Sequence, residues 1–185
     1  MRTANLDALG IEVPLRRNEF YHDDGYVDSI EGHEKELCVL YGRDYESPEK
    51  NGTEVVGICR VIKRYNWSDL EIIKDIHTYQ IDFGTENYKL QVKAHEQAHA
   101  LHKLDKLEIL SRKIEKNFRV RINFDQLTSS EVIAHMGGIY AVLKKTNDPN
   151  QLAIKKSGID DYMEALYIWK NSKLPERKYL FFNKL

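Results

Sequence analysis

From Thr85 to Lys116 the chain runs without a glycine or a proline. Those two residues are the usual punctuation of secondary structure, so their absence among good helix formers predicts one long helix. Leu90, Ala94, Ala98, Leu101 and Leu104 recur along it at helical spacing. Thr85 stands as the N-cap, and Glu86 falls in the first turn, where a carboxylate complements the helix dipole. The apolar stripe would seat this helix on a core, and the flanking segments have to be read around it.

Upstream the pattern is extended. Asp23-Asp24-Gly25 and Glu31-Gly32 read as turns between short extended pieces. Glu36–Tyr41 (ELCVLY) reads as a strand, and Glu54–Tyr65 (EVVGICRVIKRY) as its hairpin partner. The loop between them, 45–52 (YESPEKNG), ends in Asn-Gly, a strong turn signal. Ser68–Lys74 is expected as a short helix or turn. His77–Phe83 (HTYQIDF) alternates and is rich in β formers, so it reads as a strand that Gly84 ends. Downstream, Arg119–Phe124 (RVRINF) is a connector or short strand. Thr128-Ser129-Ser130-Glu131 has capping-box spacing and should open a second helix to about Lys145, stopped by Asn147-Asp148-Pro149-Asn150. A third helix is expected over Ile159–Asn171, and Pro175 begins a tail containing Tyr179, Phe181 and Phe182.

These elements predict an α+β fold. A small mixed or antiparallel sheet with an edge strand packs on the long helix, followed by a second helix and a C-terminal helix. One domain should span 1–185, β-rich over 1–84, with the two site-bearing helices over 85–145 and the C-terminal helix and tail over 146–185. A chain of 185 residues can bury a full core without disulfides. Lys+Arg number 28 against 29 Asp+Glu, a net charge of -1, which argues against bulk attraction to nucleic acid or anionic membrane. The basic clusters Arg60, Lys63, Arg64 and Lys155, Lys156 are short enough to be a solvated face. The apolar run Val55–Cys59 is far too short to cross a bilayer, and the N-terminus has no signal-peptide apolar region. The expected location is the cytoplasm. Cys38 and Cys59 fit no zinc-knuckle or redox spacing and are expected as reduced thiols.

The chemistry sits in Ala94-His95-Glu96-Gln97-Ala98-His99-Ala100. His95 and His99 are four apart, so on a helix both imidazoles leave one face and can converge on one cation. Imidazole suits an ion of the zinc type. Glu96 lies about 100° around the helix from His95. From there it can act as general base on an attacking water without being a ligand. Ala98 and Ala100 leave space near the imidazoles. A tetrahedral catalytic zinc wants a third protein ligand. His102 is about 10.5 Å along the axis from His95 and reads as a rim residue. The second helix opens with Glu131-Val132-Ile133-Ala134-His135, where Glu131 can supply a carboxylate or merely cap the helix. His135, one turn on, is a supporting partner of the ligands or an alternative ligand. Tyr140, Tyr162, Tyr167 and His135 are candidates for stabilising an oxyanion.

HEQAH on a helix, followed by a helix starting EVIAH, resembles the gluzincin class of zincin metallopeptidases, over about residues 77–145. The resemblance implies zinc held by His95, His99 and Glu131, Glu96 as general base, and a peptide or protein substrate. In several such families the second motif reads Glu-x-x-Ala-Asp; this chain keeps Glu131 and Ala134 but carries His135 in place of the aspartate. HTYQIDF resembles the edge strand that aligns an extended substrate by β-augmentation. The chain is similar in size to minimal gluzincins, some of which are held inactive by a segment of their own chain in the cleft. The alternative is a zincin-fold metal-binding regulatory or protein-interaction module without turnover.

Overall fold

Five strands and five α-helices make up a mixed α+β fold, described by a computed structural model over residues 2–45, 55–154 and 158–175. The strands are β1 (Thr3–Leu6), β2 (Ile11–Pro14), β3 (Glu19–Val27), β4 (Gly57–Asn66) and β5 (Glu71–Ile81). The helices are α1 (Ile30–Leu40), α2 (Glu86–Lys103), α3 (Leu107–Phe118), α4 (Ser130–Thr146) and α5 (Ile159–Asn171). Among the described residues no helix is long and apolar enough to cross a membrane. Most of the expected loop 45–52, Lys155, Lys156 and the aromatic positions 179–182 lie outside the described residues.

The main sheet is three-stranded in the order β3-β5-β4, with β3 parallel and β4 antiparallel to β5. Asp75 to Gln80 of β5 are all buried, as a strand covered on both faces requires. HTYQIDF is therefore the end of the central strand, and the outer edges belong to β3 and β4. This corrects its reading as an edge strand. Residues 71–74, expected as helix or turn, are the start of β5; only the loop 67–70 turns, with Leu70 in the left-handed region (φ 52°). Asp23-Asp24-Gly25 is not a turn between strands but a bulge within β3. The small β1–β2 hairpin buries Ala4, Leu6, Ile11 and Val13 on alternate positions and closes the far side of the core.

ELCVLY is helical, not the partner of β4. It forms the last turns of α1, which Ser29 opens by accepting from the Gly32 N–H at 3.1 Å. The helix docks on the sheet by polar pins. Glu34, 3% exposed, takes the Arg60 guanidinium and the Tyr79 hydroxyl; His33 Nε2 and His77 Nδ1 both meet Asp24 Oδ2, at 2.8 and 2.9 Å. Leu37 with Ile62 and Tyr79 forms a small apolar cluster, while Val39 and Leu40 stay 81% and 72% exposed. An apolar run that looks like a strand is thus left largely in water, because the anchor residues of α1 are polar.

The long helix is broken in two. α2 ends at Lys103 and α3 starts at Leu107. Between them Asp105 is left-handed (φ 56°), its N–H bonded to the His102 carbonyl and the Lys106 N–H to that of Leu101. That pair of bonds is a Schellman ending, normally built on glycine. The break lets Leu110 and Ile114 of α3 turn back into the core. Arg119 and Asn147 end α3 and α4 in the same left-handed way. Val120 of the connector makes one antiparallel bridge to Lys173 beyond α5.

Two expectations follow. Asp105→Ala should destabilise the protein by about 1 kcal/mol, because a Cβ without a local polar group is disfavoured there, whereas Asp105→Gly should keep or raise the melting temperature. Equal melts for both variants would mean the break is not held by that residue. Burial raises the Asp24 carboxyl, but the hydrogen bonds from His77 and His33 outweigh it and leave it below its ordinary 3.8. A carboxylate with a depressed folded pKa stabilises the fold fully above its unfolded value and loses that contribution as pH falls through the folded one. An acid titration should therefore show wild type losing stability below about pH 4 more steeply than Asp24→Asn.

Candidate metal centre

α2 and α4 lie with their backbones in contact. A Cβ on Gly137 would stand 2.6 Å from the Ala98 Cβ and 2.9 Å from the Ala94 carbonyl oxygen; one on Gly138 would stand 3.0 Å from the Gln91 carbonyl oxygen. Two consecutive glycines weaken a helix interior by about 1 kcal/mol each, so their place is at the contact that nothing larger fits. The seam opposes the small residues of α2 to those of α4 and brings the side chains one turn away into register.

Those side chains are His95 and His99 on α2 and Glu131 and His135 on α4. Glu131 Oε2 is 3.3 Å from His95 Nε2, and Glu131 Oε1 is 3.3 Å from His99 Nε2. The two imidazoles are largely buried, while the Glu131 side chain is half-exposed at the rim. Donor atoms of His95, Glu131 and His135 all lie within 4.8 Å of one another. The His135 ring meets His95 edge-on, 4.6 Å between centroids, and Tyr162 of α5 at 5.4 Å. Hydrogen bonds from His95 and His99 hold the Glu131 carboxyl far below its ordinary value.

Capping does not occupy Glu131. Ser129, not Thr128, is the N-cap of α4, accepting from the Val132 N–H at 3.3 Å and donating to Asp161 Oδ1 of α5 at 2.9 Å. Shifting the cap by one residue moves Glu131 out of the reciprocal capping position and toward α2. Bonds of about 2.0–2.1 Å to an ion at tetrahedral angles put neighbouring donors about 3.3–3.4 Å apart. The group whose donors lie in mutual reach is His95, Glu131 and His135, while His99 meets Glu131 through its other oxygen; two imidazoles with a carboxylate are a donor set that zinc-type ions accept.

Glu96 lies about 100° around α2 from His95, on the side toward β4. It is buried, with Oε1 close enough to β4 that a Cβ on Gly57 would come within 3.0 Å of it. Burial pushes the Cys59 thiol up to about 12, and the Glu96 charge adds to the shift. Glu96 also lines a cavity of about 20 Å³ with Lys93, Thr78 and Gln80; the Gln80 Oε1 is buried and has no hydrogen-bond partner among the described residues. His102 does not join the cluster. It lines an open cleft of about 470 Å³ beyond the end of α2, with Arg112, Phe124 and the carboxylates of Asp105, Glu108 and Asp125.

Of the tyrosines considered for an oxyanion, only Tyr162 stands beside the cluster. The Tyr140 hydroxyl accepts from Asn117 Nδ2 at 3.0 Å, and Tyr167 is solvent-exposed. Sequence reasoning passed over Tyr88, which lines a cavity with His95, His135 and Tyr162, and over Gly57, Gly137 and Gly138. The Gly-Gly pair inside a helical pattern was a readable signal for close backbone approach. Comparison with family models, curated proteins and solved structures finds no match to this chain.

Gly137→Ala should force α2 and α4 apart, costing roughly 1–3 kcal/mol as overpacking does. Thermal melts and competition with a chromophoric chelator for Zn2+ should both show the loss. Unchanged values in both assays would mean the seam is not the spacer of the two helices.

Proposed function

We propose that this protein is a zinc-dependent metallopeptidase, with His95, His99 and Glu131 as the ligands and Glu96 as general base. One observation carries the reading: the Glu131 carboxylate places an oxygen 3.3 Å from each of the two imidazole nitrogens across the α2–α4 contact. A zinc ion held there would polarise a peptide carbonyl and make a water acidic enough to attack at neutral pH. Glu96 would serve as the general base, taking a proton from the attacking water and passing it to the leaving amine. Burial against β4 keeps its carboxylate out of bulk solvent and fixes its direction.

The α+β arrangement supports this assignment of parts: α2 is the active-site helix, α4 the second ligand helix, and β4 the edge strand nearest the base. An extended peptide would pair with the outer edge of β4 near Gly57, where the strand passes Glu96. The cleft beside His102 would take a substrate side chain. A second reading, a zincin-fold metal-binding module without turnover, is favoured by His135, which stands among the donors where related motifs carry aspartate.

Glu96→Gln should retain bound zinc while losing about 10²-fold or more in peptide cleavage. Metal analysis and a peptide panel, run on both proteins, check this. Equal cleavage by the two would remove Glu96 as the base, and zinc bound by both with cleavage by neither would select the second reading.

A further inference from the structure

We propose that the cleft beside His102 selects a cationic side chain, lysine or arginine, of an extended peptide. The proposal rests on the peptidase reading above and names the substrate class that its site would take. Its basis is the turn that separates α2 from α3. Left-handed Asp105 breaks the helix there, and the Ser111 hydroxyl ties α3 to the connector that follows it by donating to the Ile122 carbonyl at 2.7 Å. Between α3 and the short 3-10 turn Phe124–Gln126 lies the open cleft of about 470 Å³. Pockets of about 300–1,000 Å³ hold small ligands, so a long side chain fits there.

The lining divides into an apolar floor and an acidic rim. Ile122 and Phe124 are buried, and Leu107 and Leu127 are partly buried beside them. Asp105 and Glu108 come from the start of α3 and Asp125 from the 3-10 turn, and all three are exposed. Among the described residues no lysine or arginine forms an ion pair with any of these carboxylates. Arg112 lines the cleft as well, so three acids against one guanidinium leave an excess of two negative charges. A lysine or arginine side chain matches both parts, laying its methylenes on the floor and its charge at the rim. An aspartate or glutamate would meet uncompensated like charge, and the same lining would reject it.

His102 stands where the cleft meets α2. Its Nδ1 is buried and has no hydrogen-bond partner among the described residues. With the ring proton on Nε2, that nitrogen is an acceptor, the role an ammonium or guanidinium donor satisfies. His102 also lies three residues beyond His99, a neighbour on the same side of α2. A peptide whose carbonyl is held at the His95–His99 centre would therefore send an adjacent side chain past His102 into the cleft.

The test measures binding by fluorescence anisotropy on the full chain carrying Glu96→Gln, so that cleavage does not intervene. The probes are two labelled alanine hexapeptides, one with a central arginine and one with citrulline, which keeps the shape and lacks the charge. The arginine peptide should bind about 10-fold more tightly, and Glu108→Gln with Asp125→Asn should abolish that difference. Arg112→Gln should widen it by about 3-fold, a gain that a misfolded variant would not give. Circular dichroism checks the fold of each protein. Equal binding of the two peptides, no binding of either, or a preference that survives loss of both carboxylates would overturn the proposal. Wild-type cleavage without arginine preference would overturn it while leaving the peptidase reading in place. Arginine-selective binding without wild-type cleavage would remove the peptidase reading and leave the cleft as a site for cationic side chains.

Discussion

The contact between α2 and α4 governs this structure. Two glycines in the middle of α4 remove the side chains that would otherwise separate it from Ala94, Ala98 and the backbone at Gln91. Without that approach, His95 and His99 would look across a layer of core side chains, and Glu131 would project into water. The seam costs intrinsic helix stability, which the surrounding apolar packing offsets: Ile133, Met136, Ile139 and Tyr140 of α4 are essentially inaccessible to solvent. α5 adds Tyr162, Ala165 and Trp169 to the same core, and holds the start of α4 through Asp161. A cluster of titratable groups is thereby mounted on two helices in backbone contact, where its spacing is set by packing and not by loops.

The opposite side of the sheet is organised by different physics. α1 has only Glu34 and Leu37 buried, so apolar transfer contributes little to its docking. What holds it is a network running from Arg60 and Tyr79 through Glu34, and from His33 and His77 through Asp24, with the Tyr41 hydroxyl 2.9 Å from His77 Nε2. Hydrogen bonds to charged groups stabilise more than neutral ones but depend on protonation state. The two faces of one sheet therefore respond to different conditions: the α2 face to changes in side-chain volume, the α1 face to pH.

How far the sequence discloses this depends on whether a feature is local. α5 follows from its local pattern, and its bounds Ile159–Asn171 agree with the helix observed. The β character of EVVGICRVIKRY is local too, although its partner is β5 and not ELCVLY. The break at Asp105 was missed because this chain ends helices with left-handed residues other than glycine, so the absence of glycine carried no information about length; the stop at Asn147 was legible from its Asn-Asp-Pro-Asn run. ELCVLY was misread because its upstream cap at Ser29 and its polar anchors outweigh an apolar run that looks like a strand. Glu131 was ambiguous for a sharper reason. Thr128 and Ser129 both satisfy a capping pattern, and choosing between them rotates Glu131 by one residue, about 100°, around α4. No local rule decides that; the Ser129–Asp161 bond, a tertiary contact, does.

The same kind of rotation lets two carboxylates in contrasting surroundings stand on neighbouring faces of the α2 region. α2 is covered on two sides, by α4 and by β4 and β5, and carries buried polar residues toward each. Gln91 and Gln97 tie down Ala153 and the Asp7–Leu9 turn, structural duties met by paired hydrogen bonds. His95 and His99 face α4, while Glu96, about 100° away, faces Gly57 and Cys59. Glu131 is half-exposed and held ionised by two imidazoles; Glu96 is buried beside an edge strand. Two carboxylates in such different surroundings are suited to different work, one to hold charge and the other to exchange a proton. A single helix can sustain that division only if both neighbours are fixed, which depends on Gly137 and Gly138: moving α4 outward would separate Glu131 from the two imidazoles while leaving Glu96 against β4.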